Sequence, residues 1–271
     1  MAPPSLHGYC DRLRHELSRP CASGFCDLLE PDGETVIDPG LTFSPHGPVV
    51  LAWRITVLVL VVSALAVELN VGKPLRVPFF SYLTNTSYLL CCVYFVSSLS
   101  CSLAARAFGG VRAGAGMSAA ATPLEKASWI LFAVVQPGEI LLTVLFWTLI
   151  YSPSLSLDFF TFMSHGVLVP LVAIDGWVVG RIPLRAPQFL FSFLYHAGYV
   201  VWTFIHMLIN KNDYDYIYHF VNWKESPSAA ATMLALLLFI AFPLVFLLCW
   251  TLSTLVPKRY IIESETNLPE P

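Results

Sequence analysis

The sequence predicts an all-α fold, a multi-pass membrane bundle of six transmembrane helices. Three observations predict it. Of 271 residues, 56% are hydrophobic and only 12% charged, whereas soluble domains carry about 25% charged residues. The apolar residues are gathered in blocks of roughly the 20 residues needed to cross about 30 Å of hydrocarbon. Backbone inside lipid must satisfy its own hydrogen bonds, which leaves a helical bundle as the architecture. The net charge of −3 gives no footprint for nucleic acid.

The first span is Val49–Leu69 and carries Arg54. The second, Phe79–Leu103, opens on the polar run Thr84-Asn85-Thr86-Ser87-Tyr88. The third, Ala127–Tyr151, holds Gln136 and Glu139, and the fourth, Asp158–Val179, holds His165 and Asp175. The fifth, Pro187–Ile209, carries a polar and aromatic stripe, and the sixth, Ala229–Leu255, is apolar nearly throughout. Residues 1–48 and 256–271 read as polar tails. The first 48 residues hold no apolar stretch of signal-peptide type.

Lys and Arg near span ends set orientation. One set of loops and the C-terminal tail hold Arg106, Arg112, Lys126, Arg181, Arg185, Lys258 and Arg259; the opposite loops hold Lys73, Arg76, Lys211 and Lys224. Seven against four puts both termini in the cytosol, for a protein of the plasma membrane or the endoplasmic reticulum. Cys10, Cys21 and Cys26 then lie in a reducing compartment, where Cys21 and Cys26 are candidates for palmitoylation. Cys91, Cys92, Cys101 and Cys249 lie in spans and read as small packing residues. The loop Phe108–Lys126 is Gly/Ala-rich and reads as a flexible linker. The loop Asn210–Ser228 carries Tyr214, Tyr216, Tyr218 and Trp223, rings that favour a membrane interface.

Polar residues within the spans recur at helical spacing. The second span aligns Thr84, Ser87, Tyr88, Cys91 and Ser98, and the third aligns Gln136, Glu139 and Thr143. The fifth aligns Ser192, Tyr195, His196, Tyr199, Trp202, Thr203 and His206. Such faces point into the bundle, where they either join helices or line a cavity. The ionisable residues Arg54, Glu139, His165, Asp175, His196 and His206 are functional candidates on the same ground. Arg54 and Asp175 lie about five and four residues from the cytosolic ends of their spans, which suits a structural ion pair. Thr84 and His165 lie roughly 7–8 Å and 10 Å below the outer surface at 1.5 Å per residue. A hydroxyl and an imidazole at one depth are the minimum for a nucleophile and its general base.

The blocks that carry these two residues resemble a known family. "YLTN" at Tyr82–Asn85 and "HGVLVPLVAID" at His165–Asp175 are similar to the androgen-induced protein family of six-span membrane proteins, closest to its rolling-stone-like branch. "LFWTLIY" at Leu145–Tyr151 and "IYHFVNW" at Ile217–Trp223 extend the likeness over about residues 50–255. The resemblance implies hydrolysis of fatty acid esters of hydroxy fatty acids, with Thr84 as nucleophile and His165 as histidine partner. Two positions depart from the hydrolases, which place Asn before the histidine and a second His three residues after it; this chain has Ser164 and Leu168. The rolling-stone branch implies an alternative, a non-enzymatic membrane protein of cell fusion, adhesion or signalling that uses Asn210–Ser228 as its contact surface.

On the hydrolase reading, His165 takes the Thr84 proton as the hydroxyl attacks a fatty acyl ester. Asn85, Ser164, Tyr88 or Tyr195 supplies oxyanion donors, and Glu139 is the nearest carboxylate to orient His165. Asn85, Ser87, Tyr88, Glu139, Ser164, Tyr195, His196, Tyr199 and His206 are the expected cavity-lining residues. The Asn85–Ser87 glycosylation sequon reads as a chance match at this depth. The expected partners are membrane lipids, and no cofactor is implied. A catalytic zinc takes three protein ligands, but His196 and His206 sit about 15 Å apart along one helix, so no metal is expected. The lysines all lie outside the spans, which leaves none for a retinal Schiff base. The orientation is checked with epitope tags at both ends, expected to stay hidden from antibody until the plasma membrane is permeabilised; staining of a C-terminal tag on intact cells reverses it.

Overall fold

The computed structural model describes residues 47–71, 78–114, 123–154, 157–182, 184–209 and 216–255. Both tails lie outside this set, with Cys10, Cys21 and Cys26, the basic residues Lys73, Arg76, Lys211, Lys258 and Arg259, and Tyr214. The chain is a multi-pass membrane protein with six helices long and apolar enough to cross a bilayer: α1 (Pro48–Asn70), α2 (Leu83–Ala107), α3 (Pro123–Ile150), α4 (Phe159–Val179), α5 (Ala186–Ile209) and α6 (Pro227–Ser253). Regular structure among the described residues is helical throughout.

The third helix is the axis. Sixty-one per cent of its apolar window is buried, against 22–44% for the other five, and it packs on α2, α4, α5 and α6. Its polar side chains explain the placement, because Gln136 and Glu139 would be costly against lipid and both are buried here. Val59, Val178, Leu208, Phe239 and Leu244 face outward, where lipid tails solvate them. The largest core cluster packs Tyr88, Tyr94 and Phe95 of α2 on Phe132 of α3 and Leu168 and Val172 of α4. Gly176 permits the α3–α4 crossing, since a Cβ there would overlap the Phe132 ring. Small residues let membrane helices approach in this way.

The helices are not uniformly α. Wider π turns occupy Phe146–Ile150 at the end of α3, Met163–Val167 and Ile174–Val179 within α4, and Leu237–Ala241 within α6. A π turn inserts one residue into the helical ladder and is frequent at functional sites. The last turn of α4 closes with Gly180 N–H donating to Asp175 O and Ile182 N–H to Gly176 O. Arg181 follows at φ 50°, a left-handed residue that stops the helix.

A buried polar knot joins α1, α2 and α4. Arg54 Nε lies 3.1 Å from Asp175 Oδ1, and Trp53 Nε1 donates to the same oxygen at 3.2 Å. Tyr94 and Ser98 donate their hydroxyls to Asp175 Oδ2 at 2.8 and 2.7 Å. Arg54 Nη1 donates to Ser98 O and Ser102 Oγ at 2.7 and 2.6 Å. Every oxygen of the carboxylate is thereby engaged, the condition under which a buried pair is tolerated. Arg54→Ala and Asp175→Asn should each lower the yield and melting temperature of detergent-purified protein, since orphaning a buried charge costs about 3–5 kcal/mol. The double variant should lose less than the sum of the two, because it leaves no lone charge; additive losses would show that the residues act independently.

Candidate functional site

Residues 216–226 fold back onto one end of the bundle, the capped end. Tyr218 stacks on Phe220 and meets Tyr82 edge-on. Val221 packs with Ala230 and Leu234 of α6. Trp223 Nε1 donates to Thr203 Oγ1 of α5 at 3.1 Å. At this end the chain enters α2 through a short 3-10 turn, Phe79–Ser81. The Leu83 amide, which has no carbonyl one turn back to use, donates instead to Tyr199 OH at 3.0 Å and Tyr218 OH at 3.2 Å. Tyr199 in turn donates to Ser81 O at 2.9 Å. The first turn of α2 is thus held from α5 and from the cap.

Below the cap lies a cavity of about 70 Å³. A single water needs about 10–15 Å³ on this measure, so several fit. Its walls are mostly apolar: Leu141, Leu142 and Leu145 of α3, and Leu234, Leu237, Leu238 and Phe242 of α6. Thr84, His165, His196, Tyr199, Thr203 and Tyr218 are the polar side chains in the lining. Thr84 and His165, 81 positions apart in the sequence, therefore share one chamber.

The Thr84 side chain lies beside the Tyr218 hydroxyl. Burial pushes the Tyr218 phenol above its ordinary value, against hydrogen bonds to Thr84, Tyr199 and the Leu83 amide that pull it down. The phenol is therefore neutral at physiological pH. His165 sits in the π turn Met163–Val167. Its ring stacks face to face on Phe146, with centroids 3.9 Å apart and planes 2° apart. Trp147 Nε1 donates to the His165 carbonyl at 2.7 Å. Both aromatic residues belong to the π turn of α3, so two widened turns meet at this histidine. Its Nδ1 is buried without a hydrogen-bond partner.

His196 of α5 is the second imidazole in the lining. Its Nδ1 lies 2.8 Å from Ser192 O, its Nε2 is buried with no partner, and Phe242 packs 4.3 Å away. Gly138 of α3 makes room for it, since a Cβ there would lie 3.0 Å from Nε2.

Several residues expected at a cavity wall lie elsewhere, each drawn off by a partner. Asn85 Nδ2 donates to Phe79 O and Tyr88 OH to Val61 O. Ser164 Oγ donates to Thr161 O. Ser87 Oγ and Tyr195 OH bond one another at 3.1 Å. None of the four expected oxyanion donors lines the chamber. Glu139 Oε1 takes the Cys91 thiol at 3.4 Å, so it faces α2 and does not orient His165. His206 lines a separate groove of about 410 Å³ with Phe79, Phe80 and Trp202. Gln136 is fully buried, with both amide atoms unpaired among the described residues. No group of three or more His, Cys, Asp or Glu among the described residues could hold a metal ion.

Sequence reasoning did not find Phe146, Trp147, Gly138 or the inward role of Tyr218. The signal for the last was present in "IYHFVNW", whose rings suit a cap as well as an interface. No family model, curated protein or solved structure matches the chain.

The Thr84–Tyr218 contact is testable by a double-mutant cycle. Tyr218→Phe and Thr84→Ala should each destabilise the purified protein by about 1 kcal/mol, the usual worth of one such bond. The pair should show a coupling of similar size in thermal unfolding; zero coupling means that the hydroxyls do not meet.

Proposed function

We propose that the chain is an intramembrane hydrolase of fatty acyl esters, with Thr84 as nucleophile and His165 as general base. The observation that supports it most is the shared chamber: a threonine hydroxyl and an imidazole in one apolar, capped cavity. The resemblance to the androgen-induced protein family points to the same two residues. Both termini face the cytosol on this reading, so the capped end sits in the outer leaflet, where an ester can enter sideways from lipid.

In the reaction, the Thr84 oxygen attacks the ester carbonyl as its proton passes to His165. The leaving alcohol takes that proton, and an acyl-Thr84 remains. The Tyr218 phenol, neutral and beside Thr84, is the donor best placed for the developing oxyanion. Stacking on Phe146 replaces the carboxylate that orients the histidine in many hydrolases, and the leucine walls exclude bulk water from the acyl chain. The placement of Tyr218, Phe220 and Val221 in the chamber lining favours this reading over a contact protein, which would present those side chains outward.

Labelling of purified protein with a fluorophosphonate probe tests the assignment. Wild type should label at Thr84, and Thr84→Ser should keep part of the signal because a hydroxyl remains. Thr84→Ala and His165→Ala should each abolish labelling with little loss of folded protein. The two residues act as a unit, so hydrolysis by the double variant should fall no further than by either single. A wild-type protein that labels nowhere overturns the hydrolase and leaves the contact-protein reading.

A further inference from the structure

An ester has two arms, and a nucleophile must find room for both. The chamber accounts for one. Its leucine walls on α3 and α6 suit a hydrocarbon chain, but it measures only about 70 Å³. Sites that bury a whole organic ligand run to about 300–1,000 Å³. The second arm needs a second space within reach of Thr84.

The groove between the 3-10 turn Phe79–Ser81 and the capped end of α5 is such a space. It measures about 410 Å³. Phe79, Phe80, Trp202 and Ile209 line it, with Ser81 and His206. Phe80 and Ile209 are 51% and 62% exposed, so the groove opens on the outside of the bundle. Groove and chamber are neighbours along both chain segments that form them. Ser81 lines the groove, and Leu83 and Thr84 line the chamber. On α5, Trp202 and His206 line the groove, and Tyr199 and Thr203 line the chamber. Tyr199 marks the boundary, donating its hydroxyl to Ser81 O at 2.9 Å and accepting the Leu83 amide at 3.0 Å. Thr84 is the next residue beyond that boundary.

The groove's chemistry limits what it takes. Its lining is aromatic and aliphatic for the most part, and none of its described residues is Lys, Arg, Asp or Glu. An arm ending in a charge would be desolvated there without a counter-ion, whereas an alkyl chain meets no such cost.

Resting on the hydrolase reading, we propose that this groove is the alcohol subsite and that the ester cleaved is one of a neutral long-chain alcohol. The acyl arm lies along the leucines of the chamber. The alkoxy arm crosses into the groove as Tyr199 gives up its link to Ser81. When the carbonyl carbon bonds to Thr84 Oγ, its bond to the alkoxy oxygen breaks, and that oxygen takes the proton held by His165. The alcohol departs along the groove into lipid, and the acyl group stays on Thr84 until water releases it. Phe80 and Ile209 set which alcohol fits.

Octanoyl esters of methanol, octadecanol and hydroxystearate test the subsite on the full chain in detergent. In wild type, kcat/KM should be at least about tenfold higher for the octadecyl ester than for the methyl ester, the low end of what hydrocarbon contacts in a pocket discriminate. It should also exceed that for the hydroxystearate ester, which carries a carboxylate. Ile209→Trp narrows the groove and should lower the octadecyl-to-methyl ratio about tenfold. Phe80→Ala widens it and should raise the ratio of cholesteryl to octadecyl octanoate turnover several-fold. Each ratio is taken within one preparation, so a loss of folded protein does not move it. Ratios unmoved in both variants, no octadecyl preference in wild type, or a preference for hydroxystearate overturns the alcohol subsite; with Thr84 still labelled by fluorophosphonate, the hydrolase stands. A wild type that labels nowhere and cleaves none of the esters overturns both.

Discussion

The Asp175 carboxylate is the point from which the bundle is organised. It sits at full burial with donors from Trp53 and Arg54 of α1 and from Tyr94 and Ser98 of α2. In lipid such a charge has no water to fall back on, so those three helices have essentially one mutual arrangement that satisfies it. Fixing α4 against α2 also fixes the far half of α4, and with it His165 relative to Thr84. An electrostatic demand at one end of the helices thereby sets distances at the other. The Gly176–Phe132 contact locks the same crossing by shape.

The two ends of the molecule use polarity differently. Both oxygens of the Asp175 carboxylate are answered by donors. Under the cap, two imidazole nitrogens are left unanswered on His165 and His196, within walls that are mostly leucine. Aromatic groups do the positioning there: Phe146 beneath His165, Phe242 beside His196, Tyr199 and Tyr218 at the head of α2.

The six spans were legible because apolar length is a one-dimensional signal. Boundaries moved where local chemistry intervened: the second helix begins at Leu83 instead of Phe79 because a 3-10 turn precedes it, and the sixth begins at Pro227, a residue suited to a first helical position. Depth was legible too, since the rise per residue hardly varies; that is why Arg54 and Asp175, or Thr84 and His165, could be matched. Facing was not legible. Equal spacing at 3.6 residues per turn fails where π turns intervene, and roughly half of α4 is π-helical. Nor does periodicity reveal competition for a polar group. Asn85, Tyr88 and Ser164 have the right chemistry for a cavity, but nearby carbonyls claim them.

Two of the four π turns, Met163–Val167 in α4 and Leu237–Ala241 in α6, lie inside their helices and join two segments with a rotational offset; the other two end theirs. One extra residue turns everything beyond it by about 100° without altering any side chain. Ile150, His165, Leu237 and Leu238 of the chamber lie in such turns, as does Asp175. Chain length within these short stretches is therefore a second, hidden code beside residue identity. A related protein could keep Thr84 and His165 letter for letter and still lose the chamber through one insertion or deletion between them. Comparison by matching residues alone would miss that difference; counting residues through the turns would reveal it.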